Sequence, residues 1–259
     1  MIKLSIITVN YNNVLGLKRT IKSVQNQTYS NFEHIIIDGN STDGSKELIE
    51  ANKQHFSYWV SEPDKGIYHA MNKGIKVAKG DYLFFLNSGD HFNDSHALNK
   101  VYSHLKDLDI VYFDINVIGE HETSIKKCPK ELTFKFLHQD LPAHQATFIK
   151  KSLFEQLGYY DESLKIVSDW KFLILAICKH NATYKYVEDT FSTYYSDGLS
   201  SLQENQNLVK AERESVLNKE FEVFMNDLKE QYKLERTLRT LRKSRTIKLM
   251  IKLGLIHKF

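Results

Sequence analysis

Within residues 1–90, three polar clusters interrupt apolar segments, and each holds groups able to bind or react. The first is Thr8-Val9-Asn10-Tyr11-Asn12, an aromatic ring flanked by amide side chains. A ring so placed can stack on a planar base while the amides hydrogen-bond its edge. The same residues can also form a turn around one buried Tyr. The second cluster begins at Asp38, which precedes Gly39 at the end of an apolar run. A carboxylate there can accept a hydrogen bond from the ring N–H of a base, or it can cap the following helix as an Asx-turn. The third is Asn87-Ser88-Gly89-Asp90. The Asp90 carboxylate, with diphosphate oxygens, suits a hard divalent ion that keeps several waters. Its alternative is a hairpin or capping turn.

These clusters need a frame that brings them together. Residues 3–9 read as a β-branched strand, 32–38 as a second and 82–86 as a third, each ending at one of the clusters. Residues 14–27, with Leu15, Leu17, Ile21 and Val24 near helical spacing, read as a helix. So do 45–53 and 66–78, and 56–60 reads as a short strand. Strands alternating with helices imply a parallel sheet covered on both faces. Ligands of such sheets bind beyond the carboxyl ends of the strands, where all three clusters fall. The second half is more mixed. Strands are expected at 110–117, 146–149, 184–187 and 193–195, and helices at 153–157 and 169–180. From about residue 203 the chain reads as helical.

The composition narrows the class. The chain has 259 residues, 42% of them hydrophobic, 26% charged, with a formal net charge of +3, which argues for a folded chain with a sizeable core. With 3 Pro and 11 Gly it is not fibrous, and with two cysteines and no CxxC pair it has neither a disulfide framework nor a zinc knuckle. A reducing cytosolic compartment is expected, and the N-terminus reads as a strand rather than a signal peptide. No apolar run approaches the roughly 20 residues that span a bilayer. The charge is polarised: residues 229–259 hold ten Lys and Arg against two acids, a net +8, leaving −5 on the rest. No GxGxxG follows the first strand, which excludes a dinucleotide-dependent oxidoreductase.

Taken in order, Ser5 to Asn12, Gln27 to Glu33 and Ile36 to Gly44 resemble the opening of family 2 glycosyltransferases of the GT-A fold. Glu62-Pro63-Asp64-Lys65-Gly66-Ile67-Tyr68, Ala70 to Ile75, and Gly80-Asp81-Tyr82 running to Asp90 resemble a bacterial branch of colanic acid, O-antigen and capsular polysaccharide transferases. The resemblance covers about 1–200. It implies an α/β GT-A fold, a Rossmann-like and mostly parallel sheet flanked by helices, with a helical C-terminal tail. It implies a transferase domain over 1–202, divided into a nucleotide-sugar half (1–115) and an acceptor half (116–202), then a basic helical extension over 203–259.

The resemblance also implies roles. Tyr11 and Asp38 would hold the nucleobase, with Thr8 and Asn10 lining that wall. Asn87 to Asp90 occupies the place of the Asp-x-Asp metal motif, so Asp90 would hold Mn²⁺ or Mg²⁺, while Asn87 and Gly89 depart from the acidic pattern. Asn87 and Asn72 would face the nucleotide-sugar, and His144 (in the pair His144-Gln145) would touch the diphosphate, the donor sugar or the acceptor, or else be a strand histidine with a satisfied ring. Met71 stands where many relatives carry Arg, and His69 where the branch often has Asp, so Lys65 or Lys73 is expected to supply the missing cation. Asp161, Glu162 and Asp169 are candidate bases. Asp169, in Ser168-Asp169-Trp170, resembles the base of the family, although a carboxylate in a first helical turn is also stabilised by the helix dipole. Asp161-Glu162 reads as a turn on the acceptor side. Ser196 to Ser200 matches a loop that closes over the donor.

The implied activity is inverting, non-processive transfer from a nucleotide-sugar, UDP-linked, to a hydroxyl of a lipid-linked glycan. Processive relatives carry Arg-Trp in a Gln-x-x-Arg-Trp motif, and neither Trp59 nor Trp170 follows Arg. A non-catalytic nucleotide-sugar-binding scaffold and a sugar-nucleotide pyrophosphorylase are the alternatives. In the tail, apolar residues from Leu234 to Ile256 interleave with Arg and Lys, the pattern of a basic amphipathic helix at an anionic membrane surface. That reading places the protein in the cytoplasm at the inner face of the cell membrane, with no nucleic-acid partner.

Overall fold

The computed structural model describes residues 3–119, 122–196, 198 and 201–257. The first part of the chain alternates strand and helix: β1 (Leu4–Asn10), α1 (Val14–Gln25), β2 (Phe32–Asp38), α2 (Ser45–Ala51), β3 (Tyr58–Ser61), α3 (Ile67–Val77) and β4 (Tyr82–Phe85). Then follow β5 (His91–Phe92), α4 (Ala97–Tyr102), β6 (Ile110–Ile118), β7 (Thr123–Lys126), α5 (Phe134–Leu137), β8 (Thr147–Lys150), α6 (Lys151–Leu157), α7 (Ser168–Cys178) and β9 (Tyr184–Tyr195). The last helices are α8 (Gln206–Glu220), α9 (Glu222–Lys243) and α10 (Arg245–Lys252).

One sheet runs in the order β3-β2-β1-β4-β8-β6-β9-β5, with β7 hairpinned onto β6. The strands β3, β2, β1 and β4 are parallel, as the alternating pattern predicts. Beyond β4 the sheet is mixed, because β8 enters antiparallel between β4 and β6. The strands expected at 184–187 and 193–195 are one strand. Its register against β6 shifts at Asp114, where extra β9 residues bulge out, and the bulge breaks the apparent pattern.

The two faces of the sheet are covered by different helices. Leu4, Ile6, Tyr82 and Phe84 join Val24 of α1 and Phe148 and Phe191 in one apolar cluster. Leu17 and Ile21 of α1 pack with Ile36 and Ile49 beside it. On the opposite face α3 approaches β1 closely, and a Cβ on Gly74 would stand 2.5 Å from Ile7 Cγ2. That approach aims the N-terminus of α3 at the strand tips. Phe85 continues the same face into an aromatic stack of Phe154, Tyr160 and Phe172. Two interior polar residues are satisfied inside the sheet rather than at its mouth. Thr8 is fully buried and its hydroxyl lies 3.0 Å from His34 Nε2. Burial pushes His34 down to about 3, so it is neutral there.

The chain divides into two compact units, Met1–Lys210 and Ala211–Phe259. In the second, Arg245, Lys248 and Lys252 share one face of α10, and Leu249, Leu253 and Leu255 are exposed. Among the described residues no helix is long and apolar enough to cross a membrane.

Candidate active site

The carboxyl ends of the parallel strands form a hydrogen-bonded rim. Asn10 at the tip of β1 donates to Asp38 Oδ1 at 2.7 Å across the β1–β2 pair. Ser41 donates its hydroxyl to the same oxygen at 2.6 Å and its backbone N–H to Oδ2 at 2.9 Å. Ser61, at the end of β3, donates to Oδ2 at 2.6 Å. Burial alone would raise this carboxyl, but the donors from Ser41, Ser61 and Asn10 overcome it and hold Asp38 low. Four donors fill the acceptor sites of a carboxylate. Asp38 is therefore the hub of a network, and any further donor would have to displace one of these four. Asn10 Oδ1 is buried without a partner.

Tyr11 lies outside this hub, 69% exposed, with its ring edge against Gly39. A Cβ on Gly39 would stand 2.6 Å from Asp64 Oδ2 and 3.1 Å from Tyr11 Cδ2. The missing side chain lets a ring, a backbone and a carboxylate meet at one point. Asp64 is held by a hydrogen bond from Gly66 N to its Oδ1 at 2.9 Å, just before α3. Asp64 lies within the Glu62 to Tyr68 segment, to which the resemblance assigns no role at this position. Its signal was position: an acid between Pro63 and Gly66 at the start of a helix.

The third tip joins the first through Asn13, which donates to Ser88 O at 3.1 Å while its side-chain oxygen caps α1 at Gly16 N. Thr20 of α1 holds the loop from beneath, donating to Asp90 O at 2.7 Å and accepting from Gly89 N at 3.0 Å. Asp90 is buried, 6% exposed. Among the described residues no three His, Cys, Asp or Glu side chains converge on a metal position. Asp90 is one hard carboxylate, so a divalent ion there would need substrate oxygens and water to complete its shell.

From this loop the rim reaches the second half. Asn87 Nδ2 lies 3.1 Å from His144 Nε2. His144 Nδ1 lies 3.4 Å from Asp169 Oδ2. The Tyr68 hydroxyl, on the first turn of α3, lies 2.8 Å from Asp169 Oδ1 and 2.5 Å from Ile166 O, and its single proton serves one at a time. Asp169 sits in the first turn of α7 with its side chain 16% exposed. Burial would raise its carboxyl, but His144, Tyr68 and the Trp170 N–H together hold it low, so it is ionised near neutral pH. Tyr68 lies four residues beyond Asp64, so the rim closes on itself.

Several expectations change. Thr8 lines no ligand wall, since its hydroxyl is spent on His34. Asn72 does not face a nucleotide-sugar. It is buried and staples α3 to the following half, donating to Tyr160 O at 2.9 Å and Glu162 Oε1 at 2.8 Å and accepting from Tyr160 N at 3.0 Å. His144 spends both ring nitrogens on Asn87 and Asp169. Lys73 pairs with Glu62 at 2.8 Å and Pro63 O, while Lys65 is exposed. Asp161 is no base. Burial would raise it, yet Lys171 at 2.6 Å and Ser163 bring it down to about 2. Residues 197, 199 and 200 of the expected closing loop lie outside the described residues.

Comparison with known proteins gives this rim its context. The glycosyl transferase family 2 model matches residues 5–160. An uncharacterized glycosyltransferase of Mycobacterium tuberculosis is 35% identical over 177 residues, covering 66% of this chain and 68% of that protein. A PGL/p-HBAD biosynthesis glycosyltransferase of Mycobacterium bovis is 26% identical over 200 residues, covering 75% and 77%. Among solved structures, S. aureus TarS 1-349 in complex with UDP aligns with a TM-score of 0.63 at 17% identity, covering 84% of this chain and 70% of that one. In another structure of TarS 1-349 the match spans 60% of that chain. The mannosyltransferase PcManGT of Pyrobaculum calidifontis, in complex with GDP-Man and Mn²⁺, aligns at 0.58 and 16% identity, covering 74% and 56%. At these identities the solved structures carry the fold.

Proposed function

The chain belongs to glycosyl transferase family 2 and has the GT-A fold, and from that premise we propose that it is an inverting, non-processive transferase using a UDP-linked sugar. One observation carries the reading: the strand-tip rim runs without a break from the Tyr11, Gly39 and Asp64 contact to an ionised Asp169. Tyr11 stacks on the base, and Asp64 accepts from the ribose. The exposed Lys65, next to Asp64, would supply a cation to the diphosphate. Asp90 would hold Mn²⁺ or Mg²⁺, whose chemistry there is to neutralise charge on the leaving diphosphate. Asp169 accepts the proton of the acceptor hydroxyl. As the acceptor oxygen bonds to the anomeric carbon, the bond to the diphosphate oxygen breaks and its electron pair leaves with the nucleotide.

The acceptor is proposed to be a lipid-linked glycan of a bacterial surface polysaccharide or glycolipid. The mycobacterial PGL/p-HBAD relative supports a cell-surface glycolipid. The basic face of α10 and the exposed Leu249, Leu253 and Leu255 in and after it support a peripheral site at the inner face of the membrane. The test is a panel of nucleotide-sugars read by thermal shift with and without Mn²⁺, followed by transfer to a lipid-diphosphate glycan. A UDP-sugar should raise the melting temperature, since a ligand of the folded state stabilises it by mass action. A protein shifted by no nucleotide-sugar would refute the reading.

A further inference from the structure

His144 stands where the donor loop and the base meet, and its surroundings specify its proton. Asn87 Nδ2 can only donate. With the amide oriented so that Nδ2 lies 3.1 Å from His144 Nε2, leaving Asn87 Oδ1 buried without a partner, Nε2 presents a lone pair. The ring proton of a neutral imidazole then sits on Nδ1, 3.4 Å from Asp169 Oδ2. The two contacts are mutually consistent: one nitrogen accepts from the β4 loop while the other donates to the carboxylate. The ring is 22% exposed at its side chain, and its chain segment is anchored by a hydrogen bond from the Ser192 hydroxyl to Gln145 O. An acid at position 87 would reverse the pattern, because a carboxylate accepts and would demand a proton on Nε2. Position 87 is where the sequence departs from the acidic loop pattern, and here the departure has a structural counterpart.

We propose that His144 is a positioning residue, a neutral Nδ1–H imidazole that senses the Asn87 loop through Nε2 and aims the Asp169 carboxylate at the acceptor through Nδ1–H. The proposal rests on Asp169 being the base. Both ring nitrogens of His144 meet protein groups. The ring restrains one carboxylate oxygen while Tyr68 restrains the other, and the remaining lone pairs face the incoming hydroxyl. Movement of the Asn87 loop on donor binding would be carried to the base through a single side chain, so the base is aimed when the donor is in place.

Two measurements on the full chain test this. The first needs no turnover: ¹⁵N spectra of histidine-labelled protein at neutral pH. We expect His144 to show a protonated Nδ1 and an unprotonated Nε2, and Asn87→Ala to mix the tautomers. A protonated Nε2 in the wild type, or a pattern indifferent to Asn87→Ala, would overturn the proposal whether or not a donor has been found. The second is kinetic. His144→Ala should lower kcat at least tenfold with donor KM within about threefold, as expected when the support of a reacting group is lost. His144→Asn, whose amide can still donate near the Nδ1 position, should recover a large part of kcat. Equal loss in both variants, or a loss confined to donor KM, would contradict a positioning role. An inactive wild type would count against the transferase reading and leave the spectral result to decide the tautomer.

Discussion

The Tyr68 hydroxyl lies 2.8 Å from Asp169 Oδ1, which ties the first turn of α3 to the first turn of α7 across 101 residues of sequence. The contact stabilises the charged form of a buried acid. Tyr68→Phe removes one donor and leaves the burial, so the Asp169 carboxyl rises. A hydrogen bond to a charged group contributes about 1.5–3 kcal/mol, and 1.36 kcal/mol is one pKa unit. Since the Tyr68 proton is shared with Ile166 O, the shift should be near the lower end, about one unit. The acid limb of a kcat–pH profile should therefore move up by about one unit, with little change well above it. An unmoved limb would remove Tyr68 from the control of Asp169.

Asn72 is a staple rather than a ligand. Asn72→Ala breaks three hydrogen bonds and strands the buried backbone of Tyr160. Urea unfolding should show a loss of about 2–4 kcal/mol. Nucleotide affinity of the folded variant should stay within a few-fold of wild type. A selective loss of nucleotide binding with normal stability would return Asn72 to the ligand side.

Gly39 tests the nucleotide wall without removing a charged group. Gly39→Ala introduces a Cβ 2.6 Å from Asp64 Oδ2 and 3.1 Å from the Tyr11 ring, and one of them must give way. Calorimetry with UDP should show at least a tenfold weaker Kd, on the order of 1.4 kcal/mol, with the melting temperature of the free protein nearly preserved. Unchanged affinity would place the nucleotide elsewhere.

The parallel half was legible because its strands are apolar runs that end abruptly in polar clusters. The tips Asn10, Asp38 and Asn87 could be located by that rule alone. What the pattern hid were the residues that join the halves. Asn72 and Tyr68 lie on α3 and reach partners 88 to 101 positions away, so no local spacing announces them. The same holds for His144: its type suggested a ligand, but its role is set by Asn87 and Asp169 on other elements. Asp38 shows the opposite case, where a strand-end acid correctly located is already saturated by four donors. The mixed order beyond β4 was hidden because β8 is short and carries no sign of its direction.

The C-terminal extension has its own test. Replacing Arg245, Lys248 and Lys252 with Gln removes three positive charges from one face of α10. Each is worth about 1 kcal/mol near an anionic bilayer. Co-sedimentation with vesicles rich in anionic lipid should fall by more than tenfold in partition coefficient and become less salt-dependent, while transfer to a soluble acceptor continues. Unaltered sedimentation would remove α10 from membrane attachment.

Asp169→Asn is nearly isosteric and cannot accept a proton at neutral pH. Tested with the donor selected by the thermal-shift panel, it should lower transfer by about 10²–10⁴-fold, while UDP binds the variant as tightly as wild type. Transfer persisting near the wild-type rate in that variant would contradict a base at the head of α7.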